Sequence, residues 1–326
     1  VRRRFWLGVA LLLLFPAFAA PGTGADSTPT YRERLQVAWR LVHDLYYDRT
    51  FGGVDWEGIR QTYLRRASTV SSWNELYDLI DEMYLQIGDG HTRFLSPQAA
   101  AGLLGQGACY PVPYPEVWQR PAPPVQAGEG RAGASRAWAP PEARRMGDIL
   151  YLRLPELVSA EAYATLRRAI AAEPGVRGYV LDLRGNPGGL ALRMAQVASL
   201  FMRGWPWRLV VRGSAAMPQP TIPFWGKPEA SAALAVLIDG GVNSAAEGLA
   251  GALKDAGRAR LFGQPTAGNT EIVLPYCFPE GAVALVAAGV LAPISGPTWE
   301  GRGVQPDVFV EPESALEAAI DYLRSR

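Results

Sequence analysis

Two stretches of this chain repeat one order of events: an apolar run, a glycine-bearing turn, then an amphipathic helical run. They are "GYVLDLRGNPGGLALRMAQVASLF" from Gly178 and "LAVLIDGGVNSAAEGLAGALKDAG" from Leu234. An apolar run too short for a helix and without polar alternation suits a strand buried on both faces. A helix following each strand supplies the cover, so the pattern predicts an α/β core. "DILYLRLPEL", "ARLFG" and "AVALVAAGVLA" read as further strands, Ala160 to Ala172 as an amphipathic helix, and the core is expected over 147–326 with a C-terminal helix.

The rest of the chain differs. From Tyr31 to Met83 the apolar residues recur at helical spacing, with Asp55 at one helix start, Ser72 and Glu75 spaced as a capping box, and Gly88 as a stop; a helical domain is expected over 28–97. Residues 98–146, rich in Pro, Gly and Ala, read as an extended linker or flap. Residues 1–19 have the plan of a secretory signal: Arg2, Arg3 and Arg4, an apolar run too short to span a bilayer comfortably, and Ala17-Phe18-Ala19 as a cleavage site. Its removal takes the formal net charge from +1 to −2, which favours neither nucleic acid nor an anionic surface. The expectation is an exported periplasmic or extracellular protein with no stable membrane anchor. An oxidising compartment then allows Cys109 and Cys277, the two cysteines of the chain, to pair.

The chemistry points to the two turns. A helix N-terminus offers unpaired N–H groups and a partial positive charge, suited to an anion or a developing oxyanion. Ser244 stands at the start of the second helix, where it can cap the helix or attack a substrate. A serine nucleophile needs a base. The lysines are Lys227, in a loop with nothing to depress its pKa, and Lys254, about 15 Å farther along the same helix. Histidine remains. His43 lies in a helix with no site around it, whereas His91 occupies the loop "DGHTRF". A carboxylate should orient its ring, and spacing leaves Asp89 and Glu300 both open. The scheme needs neither cofactor nor metal.

Four motifs in order, "VDWEGIRQTY" leading to "IGDGHTRFLSP", then "LDLRGNPGGL", "NSAAEGLAGALKDAGRARLFGQPTAG" and "GRGVQPDV", resemble the C-terminal processing peptidase (tail-specific protease) family from about Tyr31 to Val310. The resemblance implies a β-spiral core related to the Clp protease and crotonase folds, a small N-terminal helical domain, Ser244 as nucleophile and a protein or peptide substrate. Members with a Ser-Lys dyad carry lysine and glutamine where "TAGNTEIV" has Asn269 and Val273. A second branch, similar to the tricorn core and the chlamydial secreted protease, uses Ser, His and Glu, which map onto Ser244, His91 and Glu300. Gly188 and Ala245 are the implied oxyanion donors. The segment between "HTRF" and "DILYLRL" is too short for an ordinary PDZ domain. The expectation is a serine endopeptidase; the alternatives are a ligand- or peptide-binding protein on the same fold and an acyl-CoA enzyme, which export disfavours.

Overall fold

The computed structural model describes residues 30–104, 109–122, 139–212 and 216–326. The expected signal, residues 1–19, and positions 123–138 of the expected linker lie outside the described residues. The first three helices start where their sequences provide caps. Thr30 and Glu33 form a capping box on α1 (Tyr31–Leu45). Asp55 accepts the Gly58 N–H at the start of α2 (Trp56–Arg66), and Ser72 accepts the Glu75 N–H at the start of α3 (Trp73–Leu85). Their apolar faces meet through Leu35, Trp39, Leu76, Ile80 and Met83.

This helical core does not end at residue 97. After β1 (Arg93–Leu95) and α4 (Pro97–Leu104), the chain forms β2 (Tyr110–Pro111) and α5 (Pro115–Gln119). Val112, Tyr114 and Val117 are buried against the same helices, so the first part of the expected linker is packed structure. Apolar residues spaced between prolines carried that packing.

Two sheets follow. In the first, β3 (Glu142–Met146) runs antiparallel beside β4 (Ile149–Arg153). Beyond α6 (Ala160–Ala172), β5 (Gly178–Asp182) pairs parallel to β4, and α7 (Ala191–Phe201) follows it. β6 (Trp207–Val211) and β7 (Met217–Gln219) belong to the other sheet, and β8 (Ala233–Ile238) returns to lie parallel to β5. α8 (Ala245–Asp255) leads to β9 (Ala259–Gly263), parallel to β8. Strand residues alternate between two covers, as the period of 2 dictates. Leu150, Leu181, Val236 and Ile238 face α6, α7 and α8, while Ile149, Val180, Ala235 and Leu237 face α9 (Ala315–Arg324). This is the expected mixed α/β architecture with a small helical region at its N-terminal end.

In the second sheet, β10 (Glu271–Cys277) and β11 (Val283–Pro293) form an antiparallel hairpin, flanked by β2 on one side and β6 on the other, with β1 also paired to β11. Phe278, Ala282, Ala284 and Val286 of this hairpin complete the core of the N-terminal helices. β12 (Val308–Phe309) closes the first sheet beside β9. Cys109 and Cys277 form a disulfide, Cα to Cα 5.6 Å, that ties β2 to the end of β10. The carboxyl ends of β5 and β8 therefore lie side by side, with the start of β10 brought to them by the second sheet.

Candidate active site

The two glycine turns are joined directly. The Asn243 N–H donates to the Asn186 carbonyl at 3.0 Å, and the Gly185 N–H donates to the Asp239 carboxylate at 2.9 Å. Gly188, with φ +94, packs so closely that a Cβ would stand 2.7 Å from the Asn243 oxygen and 2.8 Å from the Ser244 Cβ. A glycine is required there by both the backbone angle and the approach.

Ser244 adopts φ 54 and ψ −125 at the cap of α8. A positive φ on a residue with a Cβ costs about 1–3 kcal/mol and persists only where surroundings enforce it. Here the Ser244 N–H is held by the Asn269 carbonyl and the Glu247 carboxylate, both at 2.9 Å. Ser244 and Glu247 have the arrangement of a capping box, but only this return arm is a side-chain hydrogen bond of ordinary geometry. The hydroxyl is not consumed by capping the helix. Glu247, 0 % exposed, also accepts from Thr266 Oγ1 and the Gly268 N–H at 2.6 Å and from the Asn269 N–H at 2.8 Å. It thereby fastens the loop before β10 to the serine. The Ser-x-x-Glu spacing of residues 244 and 247 is the sequence signal for it.

His91 stands in a loop shaped by Asp89, whose carboxylate accepts the N–H groups of His91 and Thr92 and the Thr92 hydroxyl at 2.6–2.9 Å. Asp89 thus builds the loop and does not bond the ring. The ring Nδ1 lies 3.0 Å from Glu271 Oε2, at the first position of β10, and Glu271 is only 6 % exposed. This corrects the sequence expectation for Glu300, whose Oε2 instead accepts the Thr270 N–H at 2.5 Å and hydroxyl at 2.9 Å. The adjacent residue, Glu271, occupies the place on the imidazole. A carboxylate only accepts, so Nδ1 carries the proton and Nε2 keeps its lone pair.

The hydrogen bond to Glu271 raises the His91 pKa above its ordinary value, burial opposes this, and the charges of Glu271, Asp89 and Glu300 add to the rise. Burial also raises the Glu300 carboxyl, against the hydrogen bond from the Thr270 N–H. The half-buried Tyr47 phenol is pushed up by burial and then by the charges of Glu300 and Glu271, so it remains a neutral donor beside both carboxylates. No hydrogen bond joins Ser244 Oγ to His91. The two are linked through the backbone: Asn269 receives the Ser244 N–H, and Glu271, two residues on, holds His91.

The two amides expected as oxyanion donors, Gly188 and Ala245, differ in their hydrogen bonding. The Gly188 N–H donates to Asn186 Oδ1 at 2.8 Å, an Asx turn that the sequence "NPG" supports, so it is not free. Among the described residues, the N–H groups of Gly189 and Ala245 have no acceptor. Lys254 bonds the Gln305 carbonyl and Asp307 at the far end of α8, and His43 stacks on Trp39 beside Asp44, so neither serves the site. Among the described residues no group of three or more His, Cys, Asp or Glu side chains is placed to hold a metal.

Known proteins resemble the chain in sequence and in fold. The model of peptidase family S41 matches residues 148–310, half of the chain, and that of the tricorn protease C1 domain matches residues 27–84. A carboxyl-terminal-processing protease of Synechocystis is 26% identical, over 95% of this chain and 88% of its own length. Among solved structures, a lipoprotein from Streptococcus agalactiae superposes with a TM-score of 0.66 at 19% identity, covering 93% of this chain and 99% of that one. The photosystem II D1 C-terminal processing protease superposes with a TM-score of 0.63 at 23% identity, covering 91% and 98%. These likenesses below one-quarter identity carry the fold, and the family match carries the class: the chain is a serine peptidase belonging to peptidase family S41.

Proposed function

We propose that the chain is an exported endopeptidase in which Ser244, His91 and Glu271 act together, with Glu300 contributing charge rather than contact. The observation that carries this is the His91–Glu271 pair, tied through Asn269 to a serine in a strained turn at a helix N-terminus. His91 Nε2 takes the Ser244 hydroxyl proton as the oxygen attacks the scissile carbonyl. The N–H groups of Gly189 and Ala245 receive the oxyanion. His91 then protonates the leaving amine, and water, activated by the same nitrogen, releases the acid from the acyl-enzyme. The substrate is a protein or peptide, and its cleavage near a carboxyl terminus is the reading that the relatives' names support. A disulfide between half-buried cysteines suits an oxidising compartment and supports export.

The test is covalent labelling by a fluorophosphonate, followed by turnover of a peptide ester. Wild type should be labelled and active, with both signals lost in Ser244→Ala. A folded wild-type protein that the reagent leaves unlabelled, and that turns over no peptide, would instead fit a binding protein on this fold.

A further inference from the structure

Far from the nucleophile along α7, three large rings stand in solvent. Trp205 is 51 %, Phe224 41 % and Trp225 68 % exposed, and they touch in series with centroids 5.7 and 4.9 Å apart. Contiguous exposed aromatic surface marks a contact site rather than ordinary exterior. The loop beneath is pinned. The Ile222 N–H donates to the Ala195 carbonyl of α7 at 3.0 Å and the Thr221 N–H to the Gly204 carbonyl at 2.9 Å. The Thr221 hydroxyl donates to the Pro223 carbonyl at 3.0 Å. Arg203 donates to the Trp225 and Lys227 carbonyls at 3.1 and 3.2 Å. The fold holds these rings outward.

The charge around them is mainly positive. The guanidinium groups of Arg203, Arg208 and Arg302 bond backbone carbonyls, and Lys227 is exposed; among the described residues none of the four has a carboxylate partner. Arg203, Trp205 and Arg302 line one cleft of about 620 Å³, in which Asp255 is the single acid. The nearby Glu229 is already paired with Arg167 at 3.0 Å. Exposed rings beside cations that lack carboxylate partners match a bilayer interface, where aromatic side chains sit among the headgroups and cations meet phosphates.

We propose that this ridge seats the enzyme on an anionic lipid surface. The contact is peripheral, since no helix among the described residues is long and apolar enough to cross a membrane. The C-terminal end of α7 then faces the bilayer, and the Gly188–Gly189 turn stands at the opposite end of that helix.

Flotation with lipid vesicles tests this, using the full chain carrying Ser244→Ala so that catalysis plays no part. Vesicles of phosphatidylcholine and phosphatidylglycerol in equal parts should carry the protein upward at low salt and release it at high salt; phosphatidylcholine alone should not carry it. Trp225→Ser should abolish flotation, and Lys227→Glu should weaken it at least about fivefold, the effect of one surface charge. The Lys227 ammonium has no described partner, and its backbone carbonyl, which accepts from Arg203, is kept on substitution, so this variant keeps the test open if the ring variant misfolds. Equal binding to both vesicles, binding to neither, or indifference to both substitutions overturns the proposal. So does a dimer that Trp225→Ser dissociates in the absence of flotation, which would give the ridge to a second copy of the chain.

Discussion

At the scale of the residue, the role proposed for Ser244 sets activity against stability. Ser244 and Phe51 are the non-glycine residues with positive φ among those described. Ser244→Gly should therefore remove strain and raise stability by about 1 kcal/mol in urea unfolding while abolishing turnover. Glu271→Gln keeps the shape of the side chain and removes its charge. Turnover should fall at least about a hundredfold, as for other triads deprived of their orienting carboxylate. The acid limb of the pH profile should also move to lower pH, because Glu271 is the chief cause of the raised His91 pKa. Glu300→Gln should move that limb the same way by no more than about one unit, a tenfold change in proton affinity. Stability responds with the opposite sign to activity. A histidine whose folded pKa is raised stabilises the fold below its unfolded value near 6.5, and that contribution is lost as pH rises through the folded value. The stability gap between wild type and Glu271→Gln should thus be largest in mild acid and close on the alkaline side, while wild-type turnover rises.

At the scale of the element, α8 and the loop before β10 act as one unit because Glu247 joins them. Glu247→Ala leaves the donors of Thr266, Gly268, Asn269 and Ser244 without their buried acceptor. A loss of about 3 kcal/mol is expected from the unfolding midpoint, together with loss of turnover although no substrate atom meets Glu247. The start of α8 was readable from local rules: an apolar strand, paired glycines, a cap residue and alternating apolar faces. The linker was not. Proline and glycine spacing in 98–122 suggested extended chain, but Val112, Tyr114 and Val117 found a ready apolar surface on α1 and α3. Composition reports average solubility, whereas packing depends on which few side chains meet a surface.

At the scale of the whole molecule, the N-terminal helices and the β10–β11 hairpin share one core, so the arm carrying His91 and the strand carrying Glu271 are positioned together. The disulfide reinforces this union across a sequence separation of 168 residues. Closing so long a loop restricts the unfolded chain, and Cys109→Ser should cost about 2–5 kcal/mol in denaturant unfolding. If the hairpin also depends on the bridge for its alignment, the same variant should show reduced turnover at temperatures well below its unfolding transition.

By itself the sequence determined the α/β core, the two strand-turn-helix units, Ser244 at a helix start and His91 in a loop, because each of these follows from spacing within a few residues. It also disfavoured a lysine base, since Lys254 lies too far along its helix, Lys227 sits in a loop with no local feature to activate it, and Asn269 stands where the dyad branch of the resembled family has lysine. Only the tertiary structure decided that Glu271, and not Glu300, meets the imidazole, and that the Gly188 amide is spent on Asn186 while that of Gly189 is free. Those outcomes turn on ångström-scale placement of groups up to 180 residues apart. Neighbouring carboxylates such as Glu271 and Glu300 are chemically alike in sequence, and only the register of the packed sheets tells which one reaches the ring.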